Sequence, residues 1–273
     1  MSVRVQPELK FEFRSCGDGE NDPTPGSLPR DEVHVWLAPL PAPAADIPRL
    51  STFLSSDEKE RAERFRLKKH RDAFIFTRGT LRTLLANYLG VPAAGLHFAY
   101  AAHGKPSLAL PQTAPTLAFN LSHTEGMVVF AFARDRKLGI DVEKVRSDFE
   151  VEPIAERFFS LAELLALRNV PGEHRHEAFF RCWTCKEAYI KALGEGFSHP
   201  LHQFDVSVSH AEPAALLHTR PDPAEAQRWC LRDVPLPPGH VAALAVEAHP
   251  TNPPSPSGIS PRVDWHGAEW LVV

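Results

Sequence analysis

Proline fixes φ and has no backbone N–H to donate, so a proline-rich chain builds regular structure mainly between its prolines. This chain has 26 prolines in 273 residues, about twice the usual share of roughly 5%, and many of them fall in two places. Residues 17–30 (GDGENDPTPGSLPR) and 249–261 (HPTNPPSPSGISP) combine Pro, Gly, Ser and Asp with few large apolar side chains. Such segments cannot bury enough surface to offset the entropy of ordering them. The expectation is a mostly flexible segment over 1–30, a folded body over 31–247 and a Pro-rich tail over 248–273.

Other features narrow the class. Hydrophobic residues make up 43% and charged residues 23%, with a net charge of −4. That balance is ordinary for a globular protein and too mild to indicate a nucleic-acid partner. The longest apolar run, Met127 to Ala133, is far short of a membrane span, and Arg4, Glu8 and Lys10 interrupt any apolar leader. Four cysteines are too few for a disulfide scaffold. A cytoplasmic protein with no membrane association is expected.

Within the body, helical and strand patterns alternate without a visible sequence repeat. His34–Leu37 reads as a first strand, and Ser55-Ser56-Asp57-Glu58 opens a helix. A second helix covers 71–89, stopped by Gly90 and Pro92. Leu117–Leu121 and Met127–Ala133 read as paired strands, followed by a strand over Leu138–Val142. Helices are expected at 153–168 and 176–193, then strands at 203–209, 228–234 and 240–247. The mixture argues for an α+β fold.

Four motifs carry possible chemistry. In Gly139-Ile140-Asp141-Val142-Glu143 the strand period of two puts both carboxylates on one face. This is either a solvated acidic strand end or a site for a hard divalent cation such as Mg²⁺. In Phe180–Gly194 (FRCWTCKEAYIKALG), Trp183, Glu187 and Lys191 share a helical stripe. Glu187 and Lys191 suit an ordinary surface ion pair, or a carboxylate and an ammonium aimed into one cleft. Cys182 and Cys185 lie inside that helix with Trp183 between them, which argues against zinc or redox use. Ser122-His123 offers phosphate donors or a plain strand-to-turn segment, and there is no Gly-x-Ser-x-Gly elbow. From Arg64 to Arg82 seven cations face a single acid, Asp72, either as a solvated basic face or as a cradle for a compact polyphosphate. Arg78 and Arg82 share one helix face there, and His103-Gly104-Lys105-Pro106 adds a tight turn with a further lysine.

In order and spacing, GKP, FNLSHT, LGIDVEKV, FFSLAE and FRCWTCKEAYIKALGEG resemble the 4′-phosphopantetheinyl transferases, the large single-chain type that activates peptide- and polyketide-synthase carriers. The resemblance spans about residues 53–208. It implies two similar α/β halves in a pseudo-twofold arrangement, a coenzyme A-binding half over 31–136 and a metal-binding, catalytic half over 137–247. The reaction it implies moves phosphopantetheine from coenzyme A onto a serine of an apo carrier protein, releasing adenosine 3′,5′-bisphosphate, with Mg²⁺ or Mn²⁺. By the same resemblance Asp141, Glu143 and Glu187 are metal ligands, and Glu187, Lys191 and Asp141 are catalytic. Arg78, Gly104, Lys105, Pro106, Ser122, His123 and Lys191 bind coenzyme A, with Arg61, Arg71 and Arg82 less firmly matched. Phe158, Phe159 and Leu164 are positional candidates for the carrier surface, with core packing as the alternative for each. A monomer acting on carrier proteins is expected. A non-catalytic module that only binds coenzyme A or carriers would not need all three acids and Lys191.

Overall fold

The computed structural model describes residues 10–16, 23–100, 104–109, 116–194 and 199–248. The tail beyond Ala248, with Trp265 and Trp270, lies outside the described residues, as does His103. No helix among the described residues is long and apolar enough to cross a membrane.

The body runs through one topology twice. The first pass is β2 (Glu32–Pro39), α1 (Asp46–Ser51), α2 (Ser56–Glu63), α3 (Lys68–Leu89), the small pair β3 (Phe98–Tyr100) and β4 (Pro106–Leu108), then β5 (Leu117–Thr124) and β6 (Met127–Arg134). The second is β7 (Leu138–Lys144), α4 (Glu152–Phe158), α5 (Leu161–Asn169), α6 (Arg175–Leu193), the small pair β8 (Phe204–Val206) and β9 (Leu216–Thr219), then β10 (Trp229–Asp233) and β11 (His240–Glu247). In each pass the last strand lies between the other two, in the orders β2-β6-β5 and β7-β11-β10, all antiparallel. The fold is therefore α+β with two similar halves. The repeat is invisible in the sequence because it is a repeat of element order, not of residues.

Strand alternation sorts the apolar residues into three cores. Val33, Val35 and Leu37 of β2, Met127, Val129 and Ala131 of β6, Leu138, Ile140 and Val142 of β7, and Ala242, Leu244 and Val246 of β11 meet in one core. The opposite face of the first sheet, with Trp36, Phe130 and Phe132, packs against Leu81, Leu85 and Tyr88 of α3. The opposite face of the second, with Ala243 and Ala245, packs against α6. Burial on both faces explains why β6 reads as an unbroken apolar run.

Several elements differ from the sequence reading. Lys10–Ser15, in the segment expected to be flexible, forms β1, which pairs in parallel with β2, and Leu28 is fully buried. The alternation Lys10-Phe11-Glu12-Phe13-Arg14 carries that strand signal, which the Pro- and Gly-rich stretch after it masked. The single helix expected over 153–168 is broken at Phe159, whose backbone is extended. There Ser160 caps α5 by accepting from the Glu163 N–H at 3.2 Å, while Glu163 accepts from the Ser160 N–H at 2.8 Å. β5 continues through Ser122 and His123 to Thr124, so these residues lie on a strand rather than in a turn.

Candidate active site

The site grows from the face of β7 that meets α6. With Leu138, Ile140 and Val142 committed to the central core, Gly139, Asp141 and Glu143 point the other way. Gly139 lets α6 come close: a Cβ there would lie 2.2 Å from the Ala188 carbonyl oxygen and 2.3 Å from the Ala192 nitrogen. From Ala178 to Ala192 every α6 residue is buried except Trp183, Glu187 and Lys191, which are half-buried. The one open stripe of that helix is thus the stripe expected to carry chemistry. Gly194, with φ 79°, ends the helix in the left-handed region.

Asp141 is buried, not at a solvated strand end. Lys191 donates to Asp141 Oδ1 at 2.6 Å, to Ser122 Oγ at 3.0 Å and to the Ile140 carbonyl at 3.3 Å. Ser122 donates in turn to Asp141 Oδ1 at 2.8 Å. Burial, with the Asp141 carboxylate close by, pushes Glu187 up to about 7 and raises Glu143, while Lys191 works against both shifts. The second oxygen of Asp141 and Oε1 of Glu187 are buried with no hydrogen-bond partner. Buried carboxylate oxygens left unpaired among like charges are costly unless a cation joins them. This donor set, all oxygen, suits a hard divalent ion. Asp141, Glu143 and Glu187 are spread more widely than a closed ligand shell. Among the described residues the one group with ligand atoms within 4.8 Å of one another is Glu12, Glu32 and His34 at the β1–β2 edge.

Other expected residues are placed differently. The Lys105 ammonium donates to the carbonyls of Leu138 at 3.1 Å, Ala192 at 3.3 Å and Lys191, securing the last turn of α6 against β7. Burial, with help from Lys137, brings it down to about 8. Gly104 supplies the turn before it with φ 77°, and Pro106 begins β4. His123 is exposed, and partial burial of its ring together with the Lys191 ammonium holds it below its ordinary range. Arg82 is buried and donates to Glu58 at 2.7 Å and to the carbonyls of Ala93 and Leu96 at 3.0 Å each. Arg78 lies 3.3 Å from the same glutamate. Two cations of the basic stretch are thus neutralised by an acid outside the 64–82 window, and Arg82 braces the fold instead of a ligand. Phe159 is buried and stacks on Phe179, and Phe158 lies edge-on to Trp183. The exposed large apolar residues of α5 are Leu161 and Leu165.

Residues 137–245 match the 4′-phosphopantetheinyl transferase superfamily, and residues 42–135 match the N-terminal region of a 4′-phosphopantetheinyl transferase. The 4′-phosphopantetheinyl transferase HetI of Nostoc sp. is 40% identical over 220 residues, 81% of this chain and 90% of that protein. The chain belongs to the 4′-phosphopantetheinyl transferase superfamily. The transferase is also similar to psf-1 of Bacillus pumilus, at 32% identity over 78% of this chain and 94% of that one. Sfp of Bacillus subtilis is 30% identical over 58% of this chain and 68% of that one. Among solved structures, a holo-[acyl-carrier-protein] synthase from Thermotoga maritima covers 41% of this chain and 62% of its own, at 23% identity and a TM-score of 0.33.

Sequence reasoning about this transferase missed what Gly139 and Glu58 do, the one admitting α6 against β7 and the other pairing with Arg82. A glycine inside an apolar strand pattern signals close backbone approach. A glutamate three residues after Ser55 signals a capping box. The cysteines of α6 fall outside the chemistry. Cys182 and Cys185 are fully buried, and burial pushes the Cys185 thiol up to about 12 and Cys182 well above its ordinary range. Neither should react with a soluble thiol reagent until the protein is unfolded, and the Cys182→Ala, Cys185→Ala double variant should retain transfer. Rapid labelling of either thiol in the native protein would contradict the placement.

Proposed function

We propose that the enzyme transfers the 4′-phosphopantetheine group of coenzyme A to a serine of an apo carrier protein of a synthase, releasing adenosine 3′,5′-bisphosphate. The observation that carries this reading is the Asp141–Lys191–Ser122 cluster beside Glu187, with two buried carboxylate oxygens lacking a partner. Asp141, Glu143 and Glu187 would hold Mg²⁺ or Mn²⁺. When bound, the ion would neutralise the pyrophosphate and make the bisphosphate a better leaving group.

The chain's own residues supply the rest. Glu187 takes the proton from the attacking serine hydroxyl, directly or through a water. That hydroxyl oxygen bonds to the phosphorus bearing pantetheine as the bond to the bisphosphate oxygen breaks. Lys191, seated on Asp141, holds the pyrophosphate. Ser122 orients both Asp141 and Lys191, and His123 offers a ring N–H to phosphate. The Gly104-Lys105-Pro106 turn and Arg78 border the nucleotide.

Discrimination between two ligands tests the nucleotide assignment. If His123 serves the 3′-phosphate, His123→Ala weakens coenzyme A about tenfold while 3′-dephospho-coenzyme A loses little, as measured by calorimetric titration; Lys105→Ala, which frees the last turn of α6, weakens both ligands. Equal losses for both ligands in His123→Ala would move that residue away from the 3′-phosphate.

A further inference from the structure

β5 and β7 belong to different sheets and share no backbone ladder, yet alternate side chains of β5 are bonded to β7. Asn120 Oδ1 accepts the Ile140 N–H at 2.9 Å, and Thr124 Oγ1 accepts the Lys144 N–H at 3.2 Å. Between them Ser122 donates to the Asp141 carboxylate. The period of two places all three on one face of β5. The two backbone bonds bracket the acidic segment, one just before Asp141 and the other just after Glu143.

The other edge of β7 is already laddered to β11 from Leu138 to Lys144, which gives the sheet its register without help from β5. What the β5 bonds add is a fixed setting for the edge that carries the acids. We propose that Asn120 and Thr124 are positioning residues for the cation site, pinning β7 on both sides of Asp141 and Glu143 so that the two carboxylates meet a divalent ion at the right separation. This rests on the reading of those acids as ligands. Partners that orient metal ligands typically matter 10–100-fold in affinity.

The test is Mn²⁺ binding in the presence of coenzyme A and without carrier, read from the free-Mn²⁺ paramagnetic signal. Thr124→Val keeps the shape and removes the bond to the Lys144 N–H, whereas Thr124→Ser keeps the hydroxyl. Thr124→Val should bind Mn²⁺ about tenfold more weakly and raise the cation midpoint of transfer by the same factor, with the KM for coenzyme A at saturating cation unchanged. Thr124→Ser should stay within about twofold of the parent. Asn120→Ala should shift Mn²⁺ binding in the same direction, and the Thr124 pair decides the matter if that variant fails to fold. A parent that binds Mn²⁺ while Thr124→Val binds it equally well overturns the positioning role alone. A parent that binds no Mn²⁺ and transfers in excess chelator removes the metal reading, and the positioning role falls with it.

Discussion

Glu187→Gln should lower turnover by about 10²–10⁴-fold, the range spanned by a positioned general base, while the protein stays folded. The substitution keeps the size of the side chain and removes the charge, so it deletes the proposed base and carboxylate ligand together without opening a cavity. Its effect on stability has the opposite sign. In the unfolded chain the Glu187 carboxyl loses its proton near 4.5, and in the folded, metal-free protein it keeps it to about 7. The folded state therefore binds more protons between those values, and its stability falls as pH rises from about 4.5 to 7. Below that window the glutamate is neutral in both states and no penalty exists. In excess chelator Glu187→Gln should match the parent at pH 4 and melt higher than the parent at pH 8. Glu143 leaves a residual slope of the same sign, because burial and Asp141 raise it too. Divalent cation should raise the melting temperature of the parent at pH 8 more than that of the variant. Near-normal turnover in Glu187→Gln would remove this helix from the chemistry.

Gly139→Ala should be the most damaging glycine-to-alanine substitution among the described residues. The added methyl would meet backbone atoms of α6, at 2.2 Å from one and 2.3 Å from another, and backbone cannot rotate away as a side chain can. Overpacking against side chains costs roughly 1–3 kcal/mol; here the whole helix must lift from β7, so the loss should exceed that range. The same displacement carries Lys191 and Glu187 away from Asp141, so any folded fraction should have lost transfer. Denaturant unfolding and a transfer assay on the same preparation check both halves. Gly95, where a Cβ would meet nothing within 4 Å, provides the control: Gly95→Ala should leave stability and transfer close to the parent.

What could be read in the sequence was whatever has a short period. Two carboxylates on one strand face and a stripe at i, i+4, i+8 follow from local geometry, and the structure keeps Asp141 and Glu143 on the α6 side of β7 and, between Ala178 and Ala192, opens α6 only at Trp183, Glu187 and Lys191. Partnerships across the fold had no such signature. Nothing in the spacing of Lys191 and Asp141, fifty residues apart, says that one ammonium sits on one carboxylate oxygen. Arg82 looked available for a ligand because Glu58, its buried partner, lies 24 residues away on α2. Lys105 looked free because the carbonyls it holds belong to the other half of the molecule. The internal repeat was hidden for a related reason: equivalent elements of the two halves face different neighbours, so their residues have little cause to match.

The most direct test of the account is the intact mass of an apo carrier protein after incubation with this enzyme, coenzyme A and Mg²⁺. The account predicts a gain of one phosphopantetheine group per carrier, no gain in excess chelator, and recovery on adding Mg²⁺ or Mn²⁺. A carrier left unmodified by this enzyme under conditions where another phosphopantetheinyl transferase modifies it, or modified fully in excess chelator, would contradict the account.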